Sequence, residues 1–186
     1  NPNDFLMSVH RTMTLDEAVR LGIYFPRFGV DFNFGYGAPL FQFYPPLASY
    51  IGLALVWLGV GYISATKSVM VIALLAGTIG TYIYGRYLLR NQIAALAAAF
   101  CFLLAPYFML ILYERGAVAE IVAWGILPWL IWALHRWYQD ERRSDGVVAS
   151  LMVALLMLAH NATALFIIPG AALLLVLLAL IERRAD

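Results

Sequence analysis

Three long, largely apolar stretches, residues 65–89, 92–112 and 118–134, constrain this chain more than any other feature. A helix rises about 1.5 Å per residue and a bilayer's hydrocarbon core is about 30 Å thick, so each can cross a membrane as a helix. With 63% hydrophobic and 12% charged residues, the chain reads as an integral membrane protein. The fold class that follows is all-α: a polytopic transmembrane helix bundle with amphipathic helices at the interface. Residues 162–181 are long enough for a further crossing, and 147–159 are short for one. Residues 46–61 would make a helix of roughly 23 Å, and the prolines at its start suit a first turn. That segment is expected to dip into the interface without crossing.

Residues 3–22 carry Phe5, Leu6, Val9 and Met13 at helical spacing, with Ser8, Arg11 and Thr12 between them. The sequence Thr14-Leu15-Asp16-Glu17 is a capping box, which predicts a second short helix from about Leu15 to Gly22. Both pieces are too polar to span and fit helices lying in the interface plane. Residues 27–47 are packed with aromatics, yet broken by glycines and by Pro45-Pro46. Rings with one dry and one wet side belong at the membrane surface, so this stretch is expected to be an ordered loop covering a pocket. Two regions follow: outer-face interfacial helices and aromatic loop over 1–63, and a helix bundle over 64–186. The chain begins at Asn1 and stops just after an apolar segment, so it reads as part of a longer protein.

Basic residues set the orientation. Arg86, Arg90, Arg136, Arg142, Arg143, Arg183 and Arg184 fall at span ends that share one side, with Lys67 and Arg115 on the other. The positive-inside rule makes the arginine-rich side cytoplasmic. If 46–61 does not cross, the N-terminal segment, the aromatic loop, Glu114-Arg115-Gly116 and His160-Asn161 gather on the outer face. If it crosses, the N-terminal segment parts from the others. Length favours the first layout.

On that outer face several residues can carry chemistry. Asp4 is either an N-cap or a general base that takes a proton from an acceptor hydroxyl at the membrane surface. Asp31 can cap a turn, stay solvated or help hold a divalent cation such as Mg or Mn. Glu120 has apolar neighbours on both sides, and an acid entering a span marks a candidate site. The planar fork of Arg115 suits phosphate. His160-Asn161 interrupts an apolar run, where a histidine is either a satisfied structural residue or part of a site at a helix break. Asp16 and Glu17 are explained by the dipole of a first helical turn. His10, His135 and His160 lack the spacing of a zinc site. No basic block points to nucleic acid, and Cys101 stands alone, so no disulfide framework exists. Gly35-Tyr36-Gly37 has no strand before it and reads as turn chemistry.

Taken together, Asp4, His10-Arg11, Tyr24-Phe25-Pro26-Arg27, Asp31, the Gly35-Tyr36-Gly37 to Tyr44-Pro45-Pro46-Leu47 stretch, Ala105-Pro106-Tyr107, Arg115-Gly116, Glu120 and His160-Asn161 resemble a bacterial membrane family. That family carries the description "6-pyruvoyl-tetrahydropterin synthase-related domain, membrane protein". More distantly the layout is similar to the GT-C class of membrane glycosyltransferases. The GT-C resemblance implies a first span ahead of Asn1, a catalytic acid at Asp4 and a donor sugar on a polyprenyl phosphate. It implies inverting glycosyl transfer on the outer or periplasmic face of a bacterial inner membrane, with membrane lipid and the lipid-linked donor as partners. Asp4 would be the base. Arg27, Arg115 and His160 would hold the departing phosphate. His10 and Asn161 would bind substrate or phosphate, Asp31 and Glu120 would orient groups or hold a metal, and Tyr36, Phe43 and Tyr44 would wall the pocket. The alternatives are a non-catalytic lipid-binding or transport module, and a helix bundle that binds a partner.

Overall fold

The computed structural model describes residues 3–182, so Arg183 and Arg184 of the orientation argument lie outside the described residues. The helices are α1 (Asn3–Arg20), a short α2 (Leu40–Phe43), α3 (Leu47–Trp57), α4 (Tyr62–Leu89), α5 (Gln92–Leu103), α6 (Pro106–Met109) running into a π-helical stretch at Leu110–Arg115, α7 (Val118–Asp140), α8 (Arg143–Ala159) and α9 (Asn161–Glu182). Three of these stretches are long and apolar enough to cross a membrane: Tyr62–Leu89, Gln92–Arg115 and Val118–Asp140. The all-α bundle expected from the sequence is the observed architecture.

Small residues bring the central helices together. At Gly125 an added Cβ would stand 2.4 Å from the carbonyl oxygen of Ala73, so α7 lies against α4 backbone to backbone. Trp129 Nε1 then donates to the Ala76 carbonyl at 2.9 Å. Packing of this kind holds helices together in lipid, where apolar side chains gain little by leaving the solvent. Asn91 starts α5 by accepting from the Ile93 and Ala94 amides at 2.9 and 3.2 Å. The second predicted span is interrupted: α5 stops at Leu103, and Pro106 begins α6.

One correction concerns the N-terminal segment. It is a single 18-residue helix, with no new start at Thr14. Ser8 and Thr12 donate their hydroxyls to the carbonyls of Asp4 and Ser8, four residues back, and the helical ladder continues past them. The stop falls where the sequence placed it. Gly22 has φ +83°, its amide donates to Val19, and the Ile23 amide donates to Ala18, which is a Schellman closure.

Asp16 has a larger part than a dipole partner. Its buried carboxylate accepts from Arg20 Nε and Trp57 Nε1, each at 2.9 Å, and from the Tyr62 hydroxyl. This clips α1 to the end of α3 and the start of α4. Burial opposes ionisation of Asp16, but the three donors outweigh it and hold the carboxyl below the usual carboxylate range. The 11 residues of α3 span only about 17 Å. From the α4 junction at Trp57 the helix reaches back along α4, so that Leu47 and Ile51 meet Val69, Ala73 and Val122. At that length it is too short to cross a hydrocarbon core of about 30 Å as a straight helix.

Between α1 and α3 the chain is held by a β-bridge: the Gly29 and Ala38 amides and carbonyls exchange bonds of 2.8 and 2.9 Å. Phe32 is buried there, edge-on to His10 at 4.4 Å.

Candidate functional site

The site is built on α1, which lies across one end of the bundle and touches α3, α4, α7 and the π-helical stretch. Asp4, Ser8 and Arg11 recur at spacings of four and three, so one stripe of α1 presents all three. Opposite them, Gly116 adopts φ +63° and its amide donates to Ile111 five residues back at 2.7 Å. That turn closes the π-helical stretch with Arg115 at its edge and starts α7 two residues later. Glu120 sits in the first turn of α7, where the helix dipole favours a carboxylate. It is 7% exposed. Arg115 Nη1 meets its Oε2 at 3.0 Å, and the Tyr107 hydroxyl donates to Oε1.

His160 breaks the chain between α8 and α9 in extended conformation. Its Nδ1 accepts the Thr163 amide at 3.3 Å and lies 2.6 Å from the Thr163 hydroxyl, so it caps α9. With Nδ1 used as acceptor, the neutral ring carries its proton on Nε2. Burial pushes His160 below the usual histidine range; the Glu120 charge opposes this and Arg115 adds to it.

Asp4, Ser8, Arg11, Tyr44, Arg115, Glu120 and His160 line one recess of about 150 Å³. Tyr44 lines it, with the Arg11 guanidinium 3.7 Å from the ring centroid. Arg11 Nε is buried without a hydrogen-bond partner. Burial lowers the Arg11 pKa from its ordinary value, with Tyr44 and then Asp4 opposing. Two guanidinium groups from separate elements, two carboxylates and an imidazole therefore converge. Such a recess can bind an oxyanion and move a proton beside it.

Of the residues singled out from sequence, Asp4, Tyr44, Arg115, Glu120 and His160 meet here. Asn161 is exposed at the rim, its side-chain amide 3.4 Å from the Phe43 carbonyl. Arg27 is exposed, Tyr36 is 85% exposed, and neither lines the recess. His10 and Asp31 belong to a separate recess of about 430 Å³ on another face of α1, with Asp16 and Glu17. The Asp31 carboxylate faces Glu17 and raises its pKa, first through a shared hydrogen bond and then through its charge. Among the described residues no group of three or more His, Cys, Asp or Glu side chains is placed to hold a metal ion. Asp4 lies in the first turn of α1, not ahead of it.

Sequence reasoning missed Arg11 as a site residue and took its neighbour His10. The signal was present: Arg11, not His10, falls on the helical stripe of Asp4 and Ser8. Tyr107 was also missed, because its link to Glu120 depends on how α6 folds back beside α7.

The model of a family described as "6-pyruvoyl-tetrahydropterin synthase related domain; membrane protein" matches residues 41–185. No curated protein and no solved structure matches the chain.

Proposed function

This chain belongs to the family of 6-pyruvoyl-tetrahydropterin synthase related membrane proteins, and on that footing we propose that it transfers a sugar from a polyprenyl-phosphate donor to an acceptor hydroxyl. The convergence of Asp4, Arg11, Arg115, Glu120 and His160 on one recess carries this reading. Asp4 takes the proton of the acceptor hydroxyl. The acceptor oxygen bonds to the anomeric carbon from the face opposite the phosphate. The bond from that carbon to the phosphate oxygen breaks, and its electron pair leaves with the lipid phosphate, so the configuration inverts. Arg11, Arg115 and the Nε2 proton of His160 stabilise the charge that develops on the phosphate. Glu120, fixed by Tyr107, orients Arg115.

The recess opens away from the end that carries Arg86, Arg90, Arg136, Arg142 and Arg143. By the positive-inside rule this arrangement supports an outer-face site, in keeping with a bacterial inner membrane as the resemblance implies. The test is turnover of the intact protein with a polyprenyl-phosphate sugar. Asp4→Asn is expected to lower it by about 10²-fold or more, the contribution of a positioned base. Unchanged turnover removes Asp4 from the mechanism. An apolar groove of about 630 Å³ between α4, α5–α6 and α7, lined by Tyr107, Phe108 and Trp124 among others, also suits a lipid-binding or transport role without catalysis. That reading wins if Asp4→Asn and Glu120→Gln leave surface glycans unaltered while lipid movement fails.

A further inference from the structure

The Thr14 to Glu17 pattern of a helix start is not used as one, because α1 runs straight through it. His10, Thr14, Glu17 and Leu21 therefore fall on one stripe of α1, and that stripe lines the recess of about 430 Å³ together with Asp31. The loop closed by the Gly29–Ala38 bridge carries Asp31, and its neighbour Phe32 is buried against His10. Arg20 pairs with Asp16 at 2.9 Å. Among the described residues no basic group pairs with Glu17 or Asp31, so these two carry the unmatched charge of the recess. They face each other: the Asp31 carboxylate raises the Glu17 pKa, first through a shared hydrogen bond and then through its charge. Thr14 is 3% exposed, and its Oγ1 has no hydrogen-bond partner. A Cβ added at Gly29 would stand 3.3 Å from Thr14 Cγ2, so the methyl fills the loop side and leaves the hydroxyl to the recess. A buried hydroxyl without a partner is costly to keep, and a hydrogen-bonding occupant offsets that cost.

We propose that this recess binds a primary ammonium group, held between the Glu17 and Asp31 carboxylates with the Thr14 hydroxyl as third acceptor. An ammonium carries three N–H donors and one positive charge, which matches three acceptors of which two are acidic. A divalent metal ion fits less well. The Asp16 oxygens are engaged by Arg20, Trp57 and Tyr62, and no group of three or more His, Cys, Asp or Glu among the described residues is placed to hold one. A quaternary ammonium offers no N–H donor and is recognised by rings that face it. Here Phe32 is turned to His10, and the Tyr62 hydroxyl is bonded to Asp16. The recess is larger than an ammonium, so the body that carries the amine lies along Met13 and Leu21, both exposed at the rim. An aminated lipid headgroup and a small soluble amine share that chemistry. This recess has no lining residue in common with that of Asp4 and Glu120, so the site is independent of the transfer reading.

Two matched pairs of probes test this on the intact protein in maltoside micelles. Ethanolamine and choline are titrated in solution, and retention of phosphatidylethanolamine and phosphatidylcholine is followed by native mass spectrometry. In at least one pair the primary amine is expected to bind at least tenfold tighter than its trimethylated counterpart. Preference in solution identifies a soluble amine, and preference among the lipids alone identifies a headgroup. No preference in either pair overturns the proposal. Glu17→Gln and Thr14→Val should each weaken the preferred probe at least tenfold. Thr14→Val keeps the shape of the side chain and removes only the unpartnered hydroxyl, so its thermal unfolding should come no earlier than the parent's. Glu17 is exposed, so its replacement reads binding without disturbing the packing of α1. Full affinity in either variant overturns the proposal. So does magnesium that displaces the amine at equal or lower concentration, since the carboxylate pair would then be a metal site.

Discussion

Arg11 and Tyr44 show how a charge is kept at the edge of a bilayer. The ring supplies its negative face to a guanidinium whose Nε has no hydrogen-bond acceptor, and the group stays charged and available to an anion. His160 is the group in the recess most open to pH. Its folded pKa lies below the usual histidine value, so folding favours the neutral ring. Its contribution to stability is complete above the unfolded pKa of about 6.5 and declines as pH falls through the window below it. Thermal denaturation is expected to show that loss as pH falls below about 6.5 in the parent protein and a smaller slope in His160→Asn. Equal slopes would mean that burial does not perturb the ring. The histidine at a chain break was legible as a residue of interest. Its capping of α9 through Nδ1 was not, because that needs the backbone angles of the break.

At the scale of elements, α1 depends on Asp16. The carboxylate joins three donors from three places in the chain, and bonds to a charged acceptor contribute more than neutral ones. Asp16→Asn is expected to cost about 2 kcal/mol of stability, to loosen α1 and to expose Arg11 to solvent. Chemical denaturation together with proteolysis after Arg20 would measure it. A variant as stable and as resistant as the parent would show that packing of Leu15 and Leu53 holds α1 unaided. From sequence, Asp16 looked like one acid of a helix start. Local patterns see only the nearest few residues, whereas Trp57 and Tyr62 lie 41 and 46 positions away. The lengths of the spans and the Gly22 stop were legible, since hydropathy and positive-φ glycines act within one turn. The break in α5 was signalled by Pro106 and overridden by the apolar run around it.

For the whole molecule, the shortness of α3 decides how the ends are arranged. With α3 only about 17 Å long, α1, Arg115, Glu120 and His160 occupy one end, while Arg136 pairs with Asp145 and Tyr87 with Gln139 at the other. Single cysteines at Asp31 and Ser144, placed in a chain with Cys101→Ala, test the orientation. The first is expected to react with an impermeant thiol reagent in intact cells and the second to be shielded. The reverse pattern would turn the recess to the cytoplasm and remove lipid-linked donors of the outer leaflet from consideration.

Chain chemistry alone determined that this protein is helical, that it lies in a membrane, and roughly where its long apolar helices lie. Those properties follow from hydropathy and backbone preferences summed over neighbouring residues. Only the tertiary structure decided which residues meet. His10 and Arg11 are adjacent in sequence yet point about 100° apart around α1, and packing of Leu15, Val19 and Leu53 sets the rotation that turns Arg11 to the recess and His10 to Phe32. A helix carries no information in its own sequence about which neighbour will cover each face; the contacts from distant segments supply it.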